Sequence, residues 1–237
     1  MHGSVELVES VPDAFARLVA EALSGPGGSR FSLFLSGGST AEQCYRRLAE
    51  LSGSSRKVEW RDVDVYLGDE RCVPPDHADS NHRMIAEALL DVVGPVASDN
   101  PMYRSGPPAE AAADYQRTIS TLPRFDVVHL GLGPDGHTAS LFPNSSALAV
   151  EDPEVLVVAN RDPDGNNPHD RITLTLPAIA RGRLVVFTVS GASKHDAFSR
   201  IVAGADLPGG RVTAERVVWL VDAAAAGDTP LPTSEPA

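Results

Sequence analysis

Apolar and polar positions along the 237-residue chain fall into two kinds of stretch. The first is a set of compact apolar runs: Phe31–Leu35, Val63–Leu67, Phe125–Leu130, Leu184–Val189 and Val217–Val221. They are rich in β-branched and aromatic residues and of strand length, and several break at glycine or charged turn residues. The second kind repeats its apolar residues three and four apart. In Pro12–Leu23 the residues Ala14, Phe15, Leu18, Val19 and Ala22 share one face of a helix, with Pro12 near its first turn. Ala41–Leu51, Met84–Leu90, Glu110–Leu122 and Ser193–Ala203 read as further helices, and Ser80-Asn81 offers a cap for the helix through Met84–Leu90. Val5–Val8, Val155–Ala159 and Ile172–Leu176 complete the predicted strands, with a brief one at Pro101–Arg104. The stretches 24–29 and 52–56 read as loop and flexible connection, and Cys72–Ser80 as a proline-bearing loop.

Strands alternating with helices predict an α/β fold whose mostly parallel central sheet is covered on both faces. No repeat and no long linker divides the chain, so residues 1–227 are expected to form a single domain. The polar, proline-rich 228–237 reads as a frayed tail.

Composition adds boundaries. The chain is 42% hydrophobic and 22% charged, ordinary for a globular protein with a full core. A formal charge of −12 argues against nucleic acid, which requires a basic face. No apolar run approaches the roughly 20 residues of a membrane span, and the N-terminus lacks the layout of a secretory signal. The two cysteines, Cys44 and Cys72, are expected to be reduced, and the protein to be cytoplasmic. Any anion bound by so acidic a chain calls for a local cluster of positive groups or helix N-termini.

Three strands end in turns that carry candidate chemistry. After Phe125–Leu130 come three glycines and a proline, enclosing Asp135 and His137. Ligands of open α/β sheets sit beyond the carboxyl ends of parallel strands, and a histidine there suits proton transfer near neutral pH. The same three residues are equally consistent with an ordinary turn and a solvated imidazole. After Phe31–Leu35, the sequence Ser36-Gly37-Gly38-Ser39-Thr40 opens a helix. Gly37 and Gly38 would let the backbone approach a phosphate, with Ser39 and Thr40 adding hydroxyl donors. It is neither a dinucleotide nor a P-loop fingerprint, and alone it is more often a plain turn. After Val63–Leu67, Gly68-Asp69-Glu70-Arg71 offers two carboxylates and a guanidinium suited to charge stabilisation, or a surface ion pair of little energetic weight. Arg171 opens a strand and Lys194 a helix; Lys194 stands out because Lys57 is the only other lysine. Either reaches an anion or simply ends an element in solvent. His129 alternates with Phe125 and Val127 within its strand, so a hydrogen-bonded core position is expected. No Cys or His pair has zinc spacing, so no metal is expected, and no Gly-x-Ser-x-Gly elbow is present.

Together the segments LFLSGGST (33–40), LGDERCV (67–73) with Ser80-Asn81, LGLGPDGHTASLFP (130–143), RITLTLPAI (171–179) and VSGASKHDAF (189–198) resemble the 6-phosphogluconolactonase family, within the wider glucosamine-6-phosphate isomerase/deaminase superfamily. The resemblance implies a modified Rossmann-like three-layer sandwich. It implies hydrolysis of 6-phosphoglucono-δ-lactone to 6-phosphogluconate in the oxidative pentose phosphate pathway, without a cofactor. Its substrate would be a small phosphosugar lactone, and a monomer is expected. By position His137 matches the general base, Arg71 the electrostatic partner of the reacting end, and Gly37–Thr40, Arg171 and Lys194 the phosphate seat. Asp69 and Asp135 match motif positions that orient the base or hold a sugar hydroxyl. The deaminase branch typically carries an acidic residue five positions after the histidine; Phe142 stands there, which favours the lactonase. The alternatives are an amino-sugar phosphate isomerase/deaminase and a non-catalytic phosphosugar-binding module.

Overall fold

The computed structural model describes residues 1–24, 30–54 and 58–231. Most of the expected loop at 24–29, the end of the connection at 52–56, and 232–237 of the expected tail lie outside the described residues. Strands β1 (Ser4–Leu7), β2 (Phe31–Leu35), β3 (Val63–Leu67), β5 (Ser98–Asp99), β6 (Phe125–Gly131), β9 (Gly182–Val189) and β10 (Arg216–Val221) form one sheet in the order β1-β10-β9-β6-β2-β3-β5. Every pairing in it is parallel. The interior strands are buried nearly throughout, which is why they read as continuous apolar runs rather than as alternation. Helices flank the sheet: α1 (Val11–Leu23), α2 (Ser39–Ser54), α3 (Asn81–Ile85), α4 (Asp91–Val93), α5 (Pro108–Ile119), α6 (Leu176–Ile179), α7 (His195–Val202) and α8 (Ala223–Ala226). A π turn over Ala86–Leu90 joins α3 to α4.

Caps mark several starts. Ser10 accepts from the Asp13 N–H at α1, Ser80 from Arg83 at α3, Thr175 from Ala178 at α6 and Asp222 from Ala225 at α8. The core is apolar and aromatic. Trp219 stacks on Phe187 at 3.7 Å between ring centroids, and Phe34 lies between Tyr66 and Phe125 at 4.8 and 4.2 Å.

Two expectations need correction. Pro101–Arg104 is not a strand; the pairing with β3 occurs earlier, at Ser98–Asp99. A proline has no N–H to give a sheet. The charged segment after β3 is also more than a turn. Asp69–Arg71 is a strand, β4, and with β8 (Arg171–Leu174) and β7 (Val157–Asn160) it makes a separate antiparallel sheet in the order β4-β8-β7. The predicted strands at 155–159 and 172–176 belong there. Gly68 joins the two sheets: its N–H donates to the Leu35 carbonyl, and its own carbonyl accepts from Leu174.

Glu70 fixes this corner. It is 1% exposed, and its carboxylate accepts from the backbone N–H groups of Arg71, Asn81 and His82 at 2.7–2.8 Å and from the Ser80 hydroxyl at 3.2 Å. Burial pushes its carboxyl above the usual range, against the backbone donors that favour the charge. His129, as the alternation implies, is fully buried, with Nδ1 at 2.8 Å from the Tyr45 hydroxyl and Nε2 at 2.8 Å from that of Thr188.

Glu70→Gln turns an amide N–H₂ toward at least one backbone N–H, which only donates. It is expected to destabilise the protein by about 2–3 kcal/mol and lower Tm by roughly 5–10 °C, which calorimetry would read. Burial also depresses the pKa of His129 to about 3. Because the unfolded chain takes up that proton near pH 6.5 and the folded chain does not, stability is lost as pH falls from about 6.5 toward 3. Imidazole ¹⁵N shifts of His129 should therefore show no titration above about pH 4; a midpoint near 6.5 would contradict the buried neutral ring.

Candidate active site

The carboxyl ends of β2, β3, β6 and β9 open on one side of the sheet, and four successive turns meet there. One cleft, about 620 Å³ out to bulk solvent, is lined by Ser36, Gly37 and Gly38 after β2, by Asp69 and Arg71 of β4, and by Asn81. The turn from Gly131 to Phe142 after β6, Asn167, Arg171 and Lys194 complete it.

The β6 turn is held by its own backbone. Gly133 N–H donates to the His137 carbonyl at 2.7 Å, and Gly136 N–H to the Gly133 carbonyl. Gly136 has φ +87°, and a Cβ on Gly133 would lie 2.2 Å from His137 Nδ1, so the ring lies over a bare backbone. Asp135 Oδ1 is 2.6 Å from His137 Nδ1 and also accepts the His137 backbone N–H. A carboxylate only accepts, so the neutral ring carries its proton on Nδ1, leaving Nε2 as the free base. Burial opposes the charge on Asp135, but its bonds to His137 prevail and hold the carboxyl below its usual range. The His137 ring packs 5.0 Å from that of Phe142, which is 1% exposed. Ala139, also on the cleft, takes φ +47°, uncommon for an L-residue with a side chain.

The positive groups come from three elements. In the β4–β8 pairing Arg71 lies directly opposite Arg171. Arg71 Nη1 donates to the Asp79 carbonyl at 2.6 Å. Arg171 is buried, and its Nη1 has no partner among the described residues. Burial, and then the Arg71 charge, lower the Arg171 pKa. Burial likewise lowers that of Lys194, with Asp135 opposing. Lys194 follows Gly191, at φ +90°, whose N–H is held by the Asp222 carboxylate together with the Ser190 hydroxyl. Three cations on one cleft, one of them buried with an open bonding position, are suited to an anion.

His137, Asp135, Arg71, Asp69, Arg171, Lys194, Gly37 and Gly38 thus come together around this cleft. Ser39 and Thr40 do not line it; they begin α2 at its rim, with Ser39 exposed. Asp69 is held by the Ser140 hydroxyl on Oδ2 and by Asn81 on its carbonyl. Asn81 was legible as a helix-start residue and, with Ser80, as part of the family resemblance, though without a role of its own, and Asn167 carried no signal. Asn167 is held from the side by the Asp162 carboxylate, whose loop is tied to the 72–80 loop through His169 and Asp79 at 3.0 Å. Among the described residues no group of three or more His, Cys, Asp or Glu could hold a metal, Cys44 and Cys72 are free, and no helix is long and apolar enough to cross a membrane.

Known proteins share both the sequence and this architecture. A 6-phosphogluconolactonase of Nostoc sp. is 39% identical over 216 residues, covering 84% of this chain and 85% of its own. One from Synechocystis sp. is 41% identical over 182 residues, covering 73% and 71%. The crystal structure of 6-phosphogluconolactonase from Thermotoga maritima superposes with a TM-score of 0.78 at 29% identity, covering 92% of this chain and 99% of that one. The family model described as glucosamine-6-phosphate isomerases/6-phosphogluconolactonase matches residues 3–219, nearly the whole described structure including every element that builds the cleft, and the chain belongs to that family.

Proposed function

We propose that this protein hydrolyses 6-phospho-D-glucono-1,5-lactone to 6-phosphogluconate, with His137 as the general base. The observation that carries the assignment is the Asp135–His137 pair, whose imidazole, unprotonated at Nε2, lines the same cleft as Arg71, Arg171 and Lys194. The relatives named 6-phosphogluconolactonase support the substrate. Phe142 favours the lactonase over amino-sugar deamination: an apolar ring, rather than a carboxylate, packs against the base.

The chemistry runs in two proton transfers. Nε2 takes a proton from water as its oxygen attacks the lactone carbonyl, and Asp135 steadies the imidazolium that forms. The tetrahedral oxyanion is stabilised by the Arg71 guanidinium. The ring C–O bond then breaks, and the departing alkoxide receives the proton from Nε2, leaving one hydroxyl and one carboxylic acid. Arg171 and Lys194 hold the phosphate at the far end with the Gly37–Gly38 turn, so distant binding energy orients the ester. A strained ester with an alkoxide leaving group needs no covalent nucleophile. The proposal extends to a cytoplasmic monomer acting without cofactor.

His137→Ala is expected to lower kcat by roughly 10²–10⁴-fold with Tm little changed, and Asp135→Asn to lower kcat in the same sense while leaving KM nearly intact. The measurement is acid release from freshly generated lactone, corrected for spontaneous opening; near-normal turnover by His137→Ala would remove it from the base role. Lys194→Ala and Arg171→Ala should chiefly raise KM for the phosphorylated lactone and barely alter turnover of glucono-1,5-lactone. Equal losses on both substrates would contradict a phosphate role.

A further inference from the structure

We infer that Asn81 is a substrate-binding residue whose Oδ1 accepts a hydrogen bond from a ring hydroxyl of the lactone, so that it selects for a hydroxyl at one sugar position. This rests on the lactonase reading and assigns the cleft a hydroxyl-specific contact besides its anion seat.

Four observations converge. Asn81 is 2% exposed yet lines the cleft. Its orientation is fixed, because Nδ2 donates to the Asp69 carbonyl at 2.9 Å and an amide oxygen turned that way would meet an acceptor. Its backbone N–H is tied to Glu70, so both ends of the residue are anchored. Oδ1 is then left with no partner among the described residues. A buried amide oxygen held without a donor is costly, and the majority of such groups find one.

Gly37 shows that the space was kept for this group. A Cβ at position 37 would fall 1.9 Å from Asn81 Oδ1. The glycine therefore serves the asparagine as well as any phosphate, since any side chain there would evict the amide from the cleft wall.

The donor's identity follows from the chemistry of the ligand. A phosphate dianion and a lactone carbonyl only accept, and they match Arg71, Arg171 and Lys194. A hydroxyl can donate, and Oδ1 is a dry acceptor whose orientation Nδ2 already fixes. Asp69 stands beside it, but Ser140 already occupies its Oδ2. A site built to bond a hydroxyl discriminates strongly against an analogue that lacks it, because its own polar group is then stranded.

The test compares kcat/KM of the wild type and Asn81→Ala on 6-phosphogluconolactone and on its 2-, 3- and 4-deoxy counterparts. One deoxy lactone should be slower than the parent by roughly 10- to 100-fold with the wild type. Asn81→Ala should show a similar loss on the parent, mainly in KM, and little further loss on that one deoxy substrate. Gly37→Ala should reproduce the pattern by displacing the amide. Losses of equal size on every lactone would make Asn81 structural and overturn the inference, as would wild-type rates within twofold on all the deoxy substrates, an arm that needs no variant to fold. A wild type inert toward the parent lactone would instead overturn the lactonase reading, and this inference with it.

Discussion

A carboxylate withdrawn from water governs the geometry of the cleft. Glu70 accepts three backbone N–H groups and one hydroxyl, and those donors belong to β4 and to the start of α3. The charge can stay in so dry a place only while all of them point at it. That requirement turns the chain sharply after β3 and pins the next helix against the corner. Arg71 and Asn81 stand where they do because each offers its own backbone N–H to the same carboxylate. Neither side chain is needed for that tie, so both remain available to a ligand.

The base is organised differently. Asp135 and His137 meet within one short turn, closed by backbone bonds and by Gly133, whose missing side chain leaves room for the ring. The carboxylate fixes the tautomer, and Phe142 covers one side of the imidazole. The cations of the cleft, in contrast, come from residues far apart in the chain: Arg71 and Arg171 through a strand pairing, Lys194 through a turn tethered by Asp222. The proposed base is thus a local product of one loop, whereas the proposed phosphate seat depends on the tertiary fold.

That division explains what could be read in advance. The strands at 31–35, 63–67 and 125–130 were readable because burial on both faces leaves them mostly apolar. The alternation around His129 placed it correctly in the core. The small antiparallel sheet escaped because Asp69–Arg71 is short and charged, and its pairing with Arg171–Leu174 is set by a distant stretch that no local period reveals. For the same reason the two arginines looked like independent candidates for opposite ends of a sugar, when their backbones are partners. Asn81 looked like a cap because its neighbour Ser80 is one. The buried amide oxygen depends on the Asp69 carbonyl and on a gap at Gly37, both visible only in three dimensions.

The facing arginines carry a consequence for the resting protein. Two like charges across one rung of a small sheet push apart, and burial removes much of the water that would damp the push. On the proposed reading, an anion bound between them would relieve that repulsion besides gaining contacts of its own. Part of its affinity would then be tension released by the protein, making the firmness of the small sheet and the hold on a ligand two readings of one electrostatic quantity.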